Sequence, residues 1–294
     1  GDFERPALTR ALEERRVIQG TIMRSTIHTV SAADYWPMTI GVRRLRRAWL
    51  LRAWRARFEH LDPQAMADAA RGELQAGPLR MRELVARLAA RGFPKDIVPW
   101  VGHWVDLVRV PPSGTWERRR ADLFGLAETW LEPAPVTEAE GIGLLVRRFL
   151  GAYGPAPDRD IAGWMGLPVS QVRPIIERLG LERLVDEAGK ELLDLPGGGL
   201  PDPETPAPVR FLAVWDPVLL VHQRRTGILP EAFRPRFNDS RNPQSMNAFL
   251  IDGQVAGSWR YANGRIEVSP FRDLRTAERR AVEAEADRLA AFHT

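Results

Sequence analysis

The chain has 294 residues, 44% of them apolar, and carries 42 Lys+Arg against 38 Asp+Glu, a formal charge of +4. That length suits two or three modules with cores of their own. The absence of cysteine excludes disulfides and thiolate metal sites. No apolar run reaches the roughly 18 residues of a membrane span, and no signal peptide opens the chain, so it reads as cytoplasmic. Its only lysines are Lys95 and Lys190. The cationic side chain is therefore arginine, whose planar fork grips phosphates and guanine edges, although GC-rich coding would give the same bias.

In chain order, Pro6 to Arg16 has helical spacing, and residues 21–30, TIMRSTIHTV, alternate as a β-branched strand. On such a strand Arg24, Thr26 and His28 share one face. Ser31 is a helix N-cap. A long basic helix follows, with Val42, Leu45 and Trp49, then Leu51, Trp54 and Phe58, at helical spacing. Arg43, Arg44, Arg46 and Arg47 read as its solvated face. Asp62 caps the next helix, residues 78–92 hold another, and FPKDIVPWVGHWVDL is a further helix broken by Pro99. A strand, a Pro-Pro-Ser-Gly turn and a basic return segment then complete the order of a winged helix.

That order recurs more clearly at 137–195. Thr137 and Glu140 have capping-box spacing, Gly154-Pro155 ends the first helix, two short helices follow, and Gly180 stops the last. Two alternating runs joined around Glu187-Ala188-Gly189 make a hairpin. Residues 196–208 are a Pro/Gly linker. Beyond it lies an apolar segment, VRFLAVWDPVLLVHQRR, and then a meander with turns at Asp252-Gly253 and Asn263-Gly264. A helix near 275–292 closes the chain. The expected class is α+β: tandem winged helix-turn-helix modules with a C-terminal antiparallel, barrel-like part. The modules are 1–132, 133–196 and 197–294.

The stretches TIMRSTIHTVSAADY, VPPSGTWERRRADLFGLAETWL, LVRRFLGAYGPAPDRDIAGWMGLP, FLIDGQVAGSW and SPF, in that order, resemble the winged-helix DNA glycosylases of the AlkZ/YcaQ type over nearly the whole chain. The resemblance implies three tandem winged helices curved around double-stranded DNA. It also implies hydrolytic release of bulky N7-alkylated purines or unhooking of interstrand crosslinks, with no cofactor and no metal. An N7-alkylated purine is already cationic and leaves readily. The enzyme needs a placed water and acceptor oxygens that stabilise the sugar's oxocarbenium character. In the family a Gln-x-Gln or Gln-x-Asp pair does this, upstream of the strand motif. Neither spacing occurs in these 294 residues, and the expectation is that the segment carrying it precedes Gly1.

The catalytic residues are therefore unassigned. Arg24, Thr26 and His28 match the strand motif and are pocket candidates; the plain alternative is a polar outer strand face. Trp116, Arg118, Arg119 and Arg120 lie past a wing turn, placed to track phosphates or simply to be solvated. His222, Arg224 and Arg225 end an apolar run and either reach DNA or cap it. His60, His103 and His293 show no ligand spacing. No Walker loop, G-x-S-x-G or H-E-x-x-H occurs. A monomer is expected. The alternative function is a non-catalytic winged-helix DNA-binding regulator or damage sensor.

Overall fold

A computed structural model describes residues 4–222, 225–237 and 246–293. Helix α1 (Arg5–Glu13) leads into strand β1 (Val17–Thr21), which turns back as β2 (Ile27–Ser31). Ser31 then caps α2 (Ala32–Ala53), its hydroxyl accepting from the Asp34 amide at 3.2 Å. The two expected helices of 31–60 are thus one continuous helix plus a short turn, α3 (Arg55–Phe58). Asp62 caps α4 (Pro63–Leu74), β3 is Leu79–Arg80, and α5 is Met81–Ala90. The expected helix of 93–107 contracts to a 3-10 turn at Val98–His103, consistent with Pro94 and Pro99 each removing an amide donor. Strands β4 (Leu107–Arg109) and β5 (Leu123–Leu126) follow, then α6 (Ala127–Trp130).

These strands make one antiparallel sheet, ordered β2-β1-β4-β5-β3. Its two faces bury separate cores because side chains alternate along a strand. Ile18, Val108 and Val110 pack with Tyr35, Met38 and Val42 of α2. Leu107, Phe124 and Leu126 face α4, α5 and the 3-10 turn, against Met66, Leu84 and Val101.

Residues 137–195 form α7 (Glu138–Tyr153), α8 (Asp158–Met165) and α9 (Val169–Ile176), then the hairpin β6 (Glu182–Val185) and β7 (Glu191–Asp194). The capping box is present: the Glu140 amide donates to Thr137 Oγ1, and the Thr137 amide donates to Glu140 Oε2 at 2.8 Å. The first core extends into this bundle through Ile142, Leu145 and Phe149. Helices α2 and α7 cross where Gly41 meets Gly141, and a β-carbon on either would overlap the other's backbone.

The remainder is β8 (Arg210–Phe211), the short helix α10 (Arg234–Phe237), the meander β9 (Asn247–Ile251), β10 (Gln254–Ala262) and β11 (Arg265–Pro270), and α11 (Thr276–His293). Both hairpin turns take the positive φ that type I′ turns need, at Asp252-Gly253 and Asn263-Gly264. The sheet order is β11-β10-β9-β8. The barrel-like expectation is corrected here. Among the described residues the sheet stays open, with β8 and β11 as unpaired outer edges. Four strands are too few to curl closed, and each face is covered instead: Phe249 and Ile251 pack with Val282 of α11, while Ala248 and Leu250 pack with Leu219 and Phe237.

Candidate functional site

The stretch 21–30 is a hairpin, not one strand. Between β1 and β2, Met23–Ser25 form a 3-10 turn in which Arg24 and Ser25 take φ of 50° and 58°. Left-handed backbone at non-glycine residues is strained and persists only where its surroundings hold it. The Ile22 amide donates to the Thr26 carbonyl at 3.1 Å, and the Thr26 amide and hydroxyl both donate to the Met23 carbonyl, at 3.0 and 3.1 Å. The shared face of Arg24, Thr26 and His28 is therefore lost. Thr26 closes the turn, and the half-buried His28 donates from Nδ1 to the Thr26 carbonyl at 3.0 Å. Burial is the main cause holding His28 below the ordinary imidazole range. Of these three, Arg24 lines a hollow, together with its turn neighbour Ser25.

The arginines of α2 fix this turn. Arg46 is only 6% exposed. It donates from Nη1 to the carbonyls of Thr21 and Ile22, the latter at 3.0 Å, and from Nη2 to the Gly102 carbonyl at 3.2 Å. Burial pulls its pKa down to about 10, so the guanidinium stays charged at neutral pH. Arg47 donates to the carbonyls of His103 (2.5 Å) and Trp104 (3.1 Å). Arg43 pairs with Asp106 at 2.6 Å. The expected solvated face is thus corrected: of the four arginines only Arg44, bridged to Glu138 at 2.7 Å, lies mostly in solvent. The apolar stripe shifts in consequence, and Trp49 is left 49% exposed.

Behind the turn, His103 is 4% exposed. Its Nδ1 lies 3.1 Å from the Trp100 carbonyl oxygen and its Nε2 lies 2.9 Å from Ser25 Oγ. A carbonyl only accepts, so Nδ1 carries the proton and Nε2 accepts from the Ser25 hydroxyl. Burial, then the charge of Arg46, lowers this imidazole to about 4, so it is neutral at pH 7.

The hollow in front of the turn is lined by Arg24, Arg46, Trp49, Met165, Gly166 and Leu167 and measures about 260 Å³. Gly166 ends α8 at φ 72°, and a β-carbon there would come within 2.7 Å of Arg24 Cγ. The α8 cap therefore seats Arg24. Two guanidinium groups beside an exposed indole favour an anion and a flat ring.

The other expected contacts are spread out. In the loop between β4 and β5, Trp116 is half-buried between Arg119, 4.4 Å from its ring centroid, Arg5 at 5.0 Å, and Phe292 of α11 at 5.5 Å. Arg118 and Arg119 are exposed, and Arg120 pairs with Asp122 at 3.2 Å. His222 donates from Nδ1 to Asp160 at 3.2 Å, and Arg225 Nε donates back to the His222 carbonyl at 3.1 Å. Arg224 lies outside the described residues. Among the described residues no cluster of His, Asp and Glu is arranged to hold a metal ion, and no helix is long and apolar enough to cross a membrane. Sequence did not single out Ser25, read Arg46 as solvated, and gave His103 no role. Arg46 did carry a signal, since it sits midway between Val42 and Leu50 on the buried stripe.

Fold and site together define a mixed α/β protein with antiparallel sheets, in which a strained hairpin turn presents an arginine to a hollow beside a tryptophan. The family model described as "DNA glycosylase AlkZ-like" matches residues 1–292, and the chain belongs to that family. The solved structure of the Streptomyces sahachiroi DNA glycosylase AlkZ shares its fold. The TM-score is 0.79 at 20% sequence identity, covering 99% of this chain and 83% of that one. No curated protein sequence matches.

Proposed function

We propose that this protein hydrolyses the N-glycosidic bond of bulky N7-alkylated purines, or unhooks interstrand crosslinks, in double-stranded DNA. It acts as a soluble monomer without metal or cofactor. Membership of the AlkZ-like family carries this reading. Three winged-helix modules, 1–132, 133–196 and 197–294, would follow the duplex; the three helices and hairpin of 138–194 are the part that best fits such a module.

The site's charge divides the labour. An N7-alkylated base is cationic, and a hollow lined by Arg24 and Arg46 repels it. Arg24 is therefore read as a clamp on a phosphate beside the lesion, with Trp49 offering a ring surface. Water placement and oxocarbenium stabilisation fall to the acceptor pair the family uses, which is not among these residues. Thr26 and His28 support the turn rather than touch substrate. Exposed Arg118 and Arg119, with Arg120 and Trp116, would track phosphates at one end, and Arg225 beside His222, together with Arg224, at another.

The test is release of free base from a duplex carrying one bulky N7-alkylguanine, followed chromatographically. Arg24→Ala should raise the KM for the lesion duplex. Tight binding with no base released from any bulky adduct would favour the DNA-binding regulator or sensor.

A further inference from the structure

Arg109 is a buried cation that no carboxylate among the described residues balances. It sits on β4, directly opposite Gln19 of β1, and is 8% exposed. Its Nη2 donates to Thr21 Oγ1 at 3.1 Å and its guanidinium carbon lies 5.0 Å from the Phe124 ring centroid. Nε and Nη1 are buried with no hydrogen-bond partner. No acidic side chain among the described residues lies within ion-pair distance of it. Buried charges are ordinarily paired, because leaving water unpaired is costly.

The same side chain lines a second cavity of about 290 Å³ with Thr21, Ser25, Trp100, His103 and Phe124. This cavity holds no carboxylate. Arg46 adds positive charge at its wall by donating to the carbonyls of Thr21 and Gly102. The Thr21 hydroxyl oxygen accepts from Arg109, so its own proton is free to donate. The Ser25 proton is taken by His103, which leaves Thr21, Arg109 and the Trp100 indole as the donor side chains of the lining.

We infer that this cavity, which meets the Arg24 hollow only at Ser25, is a phosphate-binding site in which Arg109 and Thr21 hold the anion beside Trp100. Only the source of the phosphate rests on the DNA reading. A backbone phosphate and a small phosphorylated molecule offer the same chemistry, and the experiment separates them.

Thermal unfolding of the full chain is followed while inorganic phosphate replaces chloride at fixed ionic strength. The wild-type midpoint should climb with the logarithm of phosphate concentration once that exceeds Kd, as for any ligand that binds only the folded state. Arg109→Met should melt at or above the wild type without phosphate, since it removes an unbalanced buried charge, and should not respond to phosphate. Thr21→Val should weaken the apparent phosphate affinity by about tenfold to a hundredfold, the loss of one hydrogen bond to a charged group. It serves as the second variant should Arg109→Met fold poorly. Duplex binding across a salt series is the other arm. A backbone phosphate in the site means that Arg109→Met lowers the slope of log K against log salt by about 0.9. An unchanged slope with an Arg109-dependent phosphate response assigns the site to a small phosphorylated ligand. Phosphate that stabilises wild type and Arg109→Met alike, or stabilises neither, overturns the site. Failure to release any base would leave the phosphate response intact and count only against the glycosylase reading.

Discussion

Arg46 ties three main-chain carbonyls from two distant segments into one frame, reaching back 24 or 25 residues to β1 and the hairpin turn and forward 56 to the 3-10 turn. Removing it as Arg46→Met leaves those carbonyl oxygens without this donor, and each buried acceptor so stranded costs roughly 1–3 kcal/mol. Unfolding in denaturant should therefore show a loss of about 3 kcal/mol or more. Arg46→Lys should recover less than half of it, because a single ammonium cannot span a fork of acceptors. A wild-type midpoint for Arg46→Met would show that the turn is held by something else. Arg109 provides the contrast: with one neutral partner and two empty donors, the same substitution is expected to do no harm there. The spacing from Val42 to Leu50 placed Arg46 on the buried stripe, but nothing local marked Arg109 as buried or gave the partners of either. A buried arginine bonded to carbonyls is told from a solvated one only by its three-dimensional partners, and here these come from separate elements.

At the scale of elements, legibility follows the locality of the signal. The order α7, α8, α9, β6, β7 could be read because most boundaries are marked within a few residues: Thr137 and Glu140 at one end, Gly154-Pro155 and Gly180 at stops, Glu187-Ala188-Gly189 between strands. The hairpin turn of 22–26 could not, since neither glycine nor asparagine announces the positive φ of Arg24 and Ser25. The candidate site inherits that gap: Arg24 was found, but its seat on Gly166 and its neighbours Ser25 and His103 were not. The crossing of α2 over α7 was equally hidden, for it depends on two glycines 100 residues apart in sequence meeting in space. A β-carbon on Gly141 would lie 2.3 Å from the Pro37 carbonyl oxygen and 2.7 Å from the Gly41 amide, and backbone cannot rotate aside. Gly141→Ala should therefore force the helices apart and cost about 1–3 kcal/mol. Gly163→Ala, inside α8 with open space around it, should stabilise by about 0.4–1 kcal/mol. Equal effects at the two sites would mean that helix propensity, not the crossing, sets the outcome.

For the molecule as a whole, the same burial that shapes the site makes stability depend on pH. His103 joins the hairpin turn to the 3-10 turn and titrates near 4 in the folded protein against 6.5 when unfolded. Between those values the unfolded chain holds a proton that the folded chain refuses, so unfolding becomes easier as pH falls. The contribution is fully present above about pH 6.5 and is lost progressively towards pH 4, amounting to about 3 kcal/mol if the whole shift is realised. His28, also lowered by burial, adds in the same direction. Asp106, whose carboxyl is raised by burial, acts oppositely, but only as pH approaches the carboxylate range. Denaturant midpoints measured across pH 7 to 4 should fall steadily in the wild type. His103→Gln cannot take up that proton. It should begin less stable at neutral pH, because the paired contacts to Ser25 and the Trp100 carbonyl are disturbed, and then lose stability with acid much more slowly. Parallel curves for the two proteins would remove His103 as the acid-sensitive joint and shift the dependence to His28 and the exposed groups.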